Sequence, residues 1–178
     1  MSNYLKGSIE EQEATSLMNQ HLQSSWWKRI ASSKTLVSIE FTYIPVWSFS
    51  YQASSHAVSE GMEGKITIEP VSQMSAILPV ECDVHQGEVS QRPVLHDVSM
   101  EEAQKVIYWE MFAKEKRREK INVQMLDKQL LYLPYWVGYT KDKSGVFDVV
   151  VLDALNGKID IPMKETVMQY VWKEAHSV

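Results

Sequence analysis

A single cysteine, Cys82, stands in a chain of 178 residues, so no internal disulfide can form and the fold must hold without that staple. Apolar runs are short: residues 149–152 are typical, far from the ~20 that a membrane-spanning helix needs. The first seven residues carry one Lys and no apolar stretch, so no secretory leader is legible there. These absences lead to the expectation of a cytoplasmic protein. Positive charge is in deficit as well, with 18 Lys and Arg against 23 Asp and Glu, a net charge of −5. A general nucleic-acid binder needs a positive field to displace counterions from phosphates, and that class is set aside. No G-x-S-x-G, phosphate-cradling glycine loop or H-E-x-x-H occurs. No catalytic residue and no cofactor is assigned, and the chain is not expected to be an enzyme.

What is present is an ordinary globular balance, 44% hydrophobic and 23% charged. A chain of this length buries roughly two-thirds of its unfolded surface.

Three blocks occur twice in the same order. Ser8-Ile9-Glu10-Glu11 is echoed by Ser99-Met100-Glu101-Glu102, and each has the S-x-x-E form of a capping box. Tyr43-Ile44-Pro45-Val46-Trp47 is echoed by Tyr132-Leu133-Pro134-Tyr135-Trp136. Gly64-Lys65-Ile66-Thr67-Ile68 is echoed by Gly157-Lys158-Ile159-Asp160-Ile161. Ordered recurrence at nearly fixed spacing is the signature of an internal repeat.

Each unit reads as a helix followed by antiparallel strands. The first helix, about 9 to 30, gathers Ala14, Leu17, Met18, His21, Leu22 and Ser25 on one face, with Trp26 at its edge. The second, about 100 to 120, carries Ala103, Val106, Ile107 and Met111, widened by Trp109 and Phe112. After the first helix, Val37, Ile39, Phe41, Tyr43, Trp47, Phe49 and Tyr51 alternate with polar residues, predicting a sheet with one buried face. Pro45 should mark a bulge or an edge, because it cannot donate to a ladder. The matching strand of the second unit, about 129 to 140, is apolar on both faces. Residues 141–145 then make a turn, and residues 146–154 read as a central strand. Asn156-Gly157 is a hairpin signal. The first-unit counterpart, about 54 to 63, is polar and reads as decayed.

The fold expected is therefore α+β: a tandem duplication of a helix packed on an antiparallel sheet, plus a short C-terminal helix at about 163 to 175. The units span 8–70 and 99–178, joined by an irregular connection at 71–98 with a strand at 74–80.

In the second unit, Glu101-Glu102-Ala103 opens a helix, and Pro134-Tyr135-Trp136-Val137-Gly138-Tyr139 ends a strand. The unit closes with residues 149–158, of the form V-x-V-L-D-A-x-x-G-K. Over about 60 residues this resembles a PepSY-like module, which implies that the duplicated units are cystatin/PepSY-like. The resemblance implies a non-catalytic unit, linked in that family to inhibition or regulation of peptidases. It also implies that Asp153 and Gly157 shape a turn.

Candidate chemistry is sparse. Cys82 and His85 have a spacing that zinc uses, with His96 nearby, but a structural zinc site takes four Cys or His ligands and no second Cys exists. The plainer reading is a polar loop, and no metal is assigned. A nucleophilic Cys82 needs a positioned base, and nothing in the sequence fixes one. The run Lys114-Glu115-Lys116-Arg117-Arg118-Glu119-Lys120 closes the second helix, where cations offset the helix dipole. Asp127, Asp142, Asp148 and Asp153 have no visible partners.

Six Trp and eight Tyr are the most unusual feature. Tyr43, Trp47, Tyr132 and Trp136 are either core anchors where helix meets sheet or the lining of a groove for a peptide. Trp27, Trp109 and Trp172 cannot all face one core, which suggests a partner surface or a homo-oligomer. The functional expectation is a non-catalytic binding or regulatory module acting through protein or peptide contacts. Its alternatives are a small-ligand sensor with a pocket between the units and, below that, a hydrolase using Cys82.

Overall fold

The computed structural model of the chain describes residues 1–24, 33–55, 58–79, 81–115 and 121–175. Trp26, Trp27 and most of the 114–120 charge run lie outside the described residues. The order is β1 (Ser2–Leu5), α1 (Glu11–Gln23), β2 (Thr35–Ser55), β3 (Val58–Ile68), β4 (Ser75–Leu78), β5 (Val84–Gly87), α2 (Met100–Glu115), β6 (Asn122–Lys141), β7 (Phe147–Asp153) and α3 (Met163–Ala175). The protein is α+β, with the seven strands in one mixed, strongly curled half-barrel sheet. Its strands run β4-β3-β2-β6-β1-β5, with β7 also on β6. Among the described residues no helix is long and apolar enough to cross a membrane.

The sheet is organised by β2 and β6, which pair antiparallel along almost their whole lengths. The repeated aromatic blocks meet in that pairing: Tyr43 faces Pro134, Ile44 faces Leu133 and Pro45 faces Tyr132. The offset of 89 residues that carries Tyr43 to Tyr132 carries Ile44 to its own register partner, so the two blocks cross head to tail about one residue pair.

Pro45, expected to mark a bulge or an edge, makes no bulge, and neither does Pro134; the β2–β6 register shifts lie between Leu36 and Ser38 and between Ser50 and Tyr51. The reason lies in the alternation of backbone groups along a strand. Tyr43 N–H donates to Ser90 and its carbonyl accepts from Arg92, so β2 residues of odd number point their amides away from β6. Pro45 therefore faces the gap between that 90–92 contact and the start of the β3 ladder at Trp47–Ile68. Pro134 likewise accepts from Ala154 N–H, and its missing donor faces the gap between β1 at Leu131–Tyr132 and β7 at Tyr135–Asp153. Each proline sits where a long strand changes neighbour, and no ladder bond is lost.

Each helix packs across both segments. Ala14 and Met18 of α1 pack on Trp136, Val150, Leu152 and Ala154 of β6, β7 and the turn after it, together with Leu36, Ile39 and Phe41 of β2. Ala103, Ile107 and Met111 of α2 pack on Phe49, Tyr51, Ala53, Ile66 and Ile68 of β2 and β3, together with Val123 and Met125 of β6. Each repeated tryptophan pins the approach to the helix lying over it. Trp136 Nε1 donates to the Ile9 carbonyl at 2.8 Å, and Trp47 Nε1 to the His96 carbonyl at 3.0 Å.

The remaining repeats diverge. Ser99 and Glu102 form the reciprocal capping box expected of them. Ser8 does not cap α1: Glu10 is the N-cap and makes no side-chain cap bond, and the Ser8 hydroxyl donates to the Leu155 carbonyl. Gly64-Lys65-Ile66 lies inside β3, whereas Gly157-Lys158-Ile159 lies in and after a turn, with Gly157 at φ +72°. The third block thus takes unlike places in the two segments. The stretch read as decayed, about 54 to 63, takes in the end of β2 and the outer part of β3, which pair as a hairpin; β4 covers only residues 65–68 of β3.

The second helical layer is α3, whose Met163, Val167 and Tyr170 cover Ile44, Tyr135, Val137, Val149 and Val151. The buried Glu69 carboxylate ties it down by accepting from Thr166 Oγ1, as well as from the amides of Val71 and Ser72. With α1 above Val150 and Leu152, and α3 below Val149 and Val151, β7 is covered on both faces. That double cover, not a central position, explains its apolar run. Among the described residues its one strand partner is β6, so it is an edge strand, not the central one expected.

The connection at 71–98 is more regular than its sequence suggests, since it supplies β4 and β5. The curl brings the two ends of the sheet together: Leu78 of β4 and Val84 of β5 pack on the same Leu5–Val46–Leu131 cluster. Gly138 sets how closely α1 approaches β6, as a Cβ there would come within 2.6 Å of Met18 Sδ and 2.7 Å of Leu36 Cδ1. Gly138→Val should cost about 1–3 kcal/mol by overpacking that contact, read as a lowered denaturation midpoint with an unchanged slope.

Candidate functional site

The four aromatic residues singled out in the sequence do not line one groove. Tyr43 and Tyr132 are buried, and burial raises both phenol pKa values, with Tyr4 adding to the effect at Tyr43. Tyr43 packs edge-on against Phe41 and Tyr4, with ring centroids 5.2 and 5.4 Å apart. Trp136 is buried under α1 against Phe41, and Trp47 lies at the rim of the α2 cluster. The Lys128 ammonium stands 4.1 Å from the Trp47 ring centroid and is held by Asp97. The two indoles hold the approaches to α1 and α2, whereas Tyr43 packs among Tyr4 and Phe41.

Cys82 packs against the Leu5–Val46–Leu131 cluster. His85 lies over the Tyr4 ring with Nε2 3.5 Å from Asp83, and the His96 carbonyl accepts the Trp47 indole. The structure does not gather these residues into one site. Trp109 and Trp172 are 65% and 64% exposed, on helices that cover opposite faces of the sheet.

A concave site forms elsewhere, where the end of α1, the outer edge of β7 and the approach to α3 meet. The cavity is about 280 Å³ and is lined by His21, Leu22, Lys34, residues 148–151, residues 159–161 and Lys164. Its polar centre is Asp148, which the sequence left without a partner. Lys34 Nζ lies 2.5 Å from Asp148 Oδ2, and Lys164 Nζ reaches the same carboxylate at 2.7 Å. Burial opposes ionisation of Asp148, but hydrogen bonds from Lys164, Lys34 and the Val149 N–H outweigh it and take the pKa to about 2.

The edge of β7 forms the floor. After the turn closed by Gly157, the chain runs back along β7: Asp153 N–H donates to the Lys158 carbonyl, Leu152 faces Ile159, and Asp160 N–H donates to the Val151 carbonyl. Asp153 shapes this turn as expected, accepting from Leu155 N–H and Asn156 Nδ2. The returning segment then leaves β7 at Ile161, which is 69% exposed. Asp160 turns to α3, with Oδ1 accepting Met163 N–H and Oδ2 accepting the Tyr135 hydroxyl. Beyond Val151 the outer edge of β7 has no strand partner among the described residues. By the same alternation, Val149 points its N–H and carbonyl outward, and the Asp148 carboxylate takes that N–H at 2.9 Å.

No family model, curated protein or solved structure matches the chain.

The Lys34–Asp148–Lys164 group joins residues far apart in sequence, and its one local signal was an aspartate inside an apolar run. Ion pairing holds the folded-state pKa of Asp148 below the unfolded value of about 3.9, so its stabilisation is present above pH ~4 and lost as pH falls through ~2. Asp148→Asn should lower stability by about 1–2 kcal/mol at pH 7, allowing for partial solvent screening, and the gap from the unmodified protein should close near pH 2. Thermal melts of both proteins across pH 2–7 check this.

Proposed function

We propose that this chain is a non-catalytic binding or regulatory module that works through protein or peptide contacts, and that the contact is made along the outer edge of β7. One observation carries the reading: the segment at residues 158–160 begins a strand on β7 and departs, leaving a cavity where its next residues would lie. An extended peptide that takes up this interrupted ladder uses β-strand addition, in which backbone bonds supply affinity and flanking side chains supply selectivity. Leu22, Ile159 and Ile161 give the cavity apolar wall for that purpose.

The ancestry we infer is a duplication. It is supported by the head-to-tail crossing of the aromatic blocks and by the matching indole bonds of Trp47 and Trp136 to the approaches of α2 and α1. The unlike placement of the third block means that the segments have since diverged around the β6–β7 hairpin. A PepSY-like origin remains our reading of the second segment, supported by its helix, long strand and Asp153–Gly157 turn.

A small ligand is a second reading, favoured by the position of the cavity between α1 of the first segment and β7 with α3 of the second. Its volume is near the lower end of small-molecule sites. The two readings separate on backbone chemistry, since only a peptide needs the Val149 N–H and carbonyl. Ile161→Glu places a charge at the exposed mouth without touching the core, and it should weaken peptide binding about tenfold or more while Tm stays within about 2 °C. Titration of the isotope-labelled protein with short apolar peptides checks this. The edge reading falls if Val149 and Val151 amide signals never respond.

A further inference from the structure

We infer that the β7 edge site is built for the free carboxyl terminus of an extended peptide, an inference that rests on the binding-module reading and specifies its ligand. The direction of the interrupted strand comes first. Residues 158–160 run antiparallel to β7, from opposite Asp153 toward opposite Val151. A ligand continuing that strand in the same sense passes Val150 and Val149 and ends beside Asp148. About three residues at roughly 3.4 Å each cover this distance. The last residue of such a ligand then stands where Lys34 and Lys164 converge.

The charge at that point is the second observation. Two ammonium groups share one carboxylate, so the cluster carries a net positive charge and keeps donors beyond those that Asp148 accepts. The other acid in the lining, Asp160, already has both oxygens engaged, by Met163 N–H and by the Tyr135 hydroxyl. The α3 N-terminus lies at the same end, since Lys164 is in its first turn, and its dipole favours an anion. His21 is the remaining titratable group in the lining and stands at the C-terminal end of α1.

Asp148 is then an internal stand-in for the ligand. Its carboxylate occupies both lysines and the Val149 N–H, the groups that a strand ending in a carboxylate would engage. The incoming terminus displaces it in part, accepts from the two ammonium groups, and frees Val149 for backbone pairing. An amidated terminus offers no charge to the lysines and gains nothing from the exchange.

The experiment titrates the intact protein with an N-acetylated Val-Val-Leu peptide carrying a free carboxyl terminus, and with the same peptide as its C-terminal amide. Backbone amide shifts of residues 148–151 and 159–161 are followed in each case. The free acid should bind at least about tenfold more tightly than the amide, and added salt should weaken only the acid. Replacing both Lys34 and Lys164 with Met should erase that preference, and replacing both with Arg should retain it. Asp148→Asn, assayed where it remains folded, should bind the acid several-fold more tightly while its affinity for the amide is unchanged; a purely structural ion cluster predicts no such gain. Equal binding of acid and amide overturns the carboxylate inference and leaves the edge reading standing. If neither peptide shifts these residues at millimolar concentration, both are overturned.

Discussion

The backbone pair Ile44–Leu133 is the point on which this structure turns. Two long strands cross there head to tail, and the proline that follows each member of the pair has no N–H to offer a lateral neighbour. A proline inside a sheet is normally confined to an edge or a bulge because it has no N–H to donate. Here both fall at positions directed away from the partner strand, in gaps between lateral neighbours. The consequence is an interrupted sheet. Each long strand serves two different neighbours, the 90–92 segment and β3 for β2, and β1 and β7 for β6. Strand twist accumulated along twenty residues then curls the ends until β4 and β5 share one apolar cluster.

The helices make the halves depend on each other. Since α1 rests on β2 as well as on the β6–β7 hairpin, and α2 rests on β6 as well as on β2 and β3, each of these cores is built from both segments. Boundaries drawn from the repeats at 8–70 and 99–178 mark stretches of sequence, whereas the sheet and its cores are common to both. The tryptophans of the repeated blocks serve these shared contacts, because a ring that packs under a helix and an indole N–H that holds its approach act on the same contact.

An edge strand covered on both faces still exposes a row of backbone groups, and proteins often guard such edges with charge. On β7 the guard is the Lys34–Asp148–Lys164 group, which ties the approach to β2 and the start of α3 to one carboxylate. The guard and the proposed binding site are the same atoms. A carboxylate held between two ammonium groups at the end of an unfinished ladder protects the edge from indiscriminate pairing, and it also defines the chemistry able to displace it.

Several features were legible because their physics is local. The helix over residues 163–175, the stripes of Ala14, Leu17, Met18 and Leu22 and of Ala103, Val106, Ile107 and Met111, the Ser99–Glu102 box and the turns at Gly145 and Gly157 all depend on neighbours within a few positions, whereas Trp109, expected to widen the second stripe, is exposed. The same local logic misplaced Ser8, whose hydroxyl found the Leu155 carbonyl, and it took β7 for a central strand because apolarity on both faces looks the same whether strands or helices cover it. β1 and β5 left almost no trace: four-residue strands acquire meaning only when the chain brings Tyr4 beside both Tyr132 and His85. The cavity was invisible for the same reason, as Lys34, Asp148 and Lys164 become one charged group only after β7 lies between α1 and α3. The sequence by itself determined the helices, the long strands and the turns between them, since propensity and periodicity act over a few residues. Tertiary structure alone decided the four-residue strands β1 and β5, which hairpin each helix covers and where the edge stays open, because those outcomes depend on contacts between residues from tens to more than a hundred positions apart.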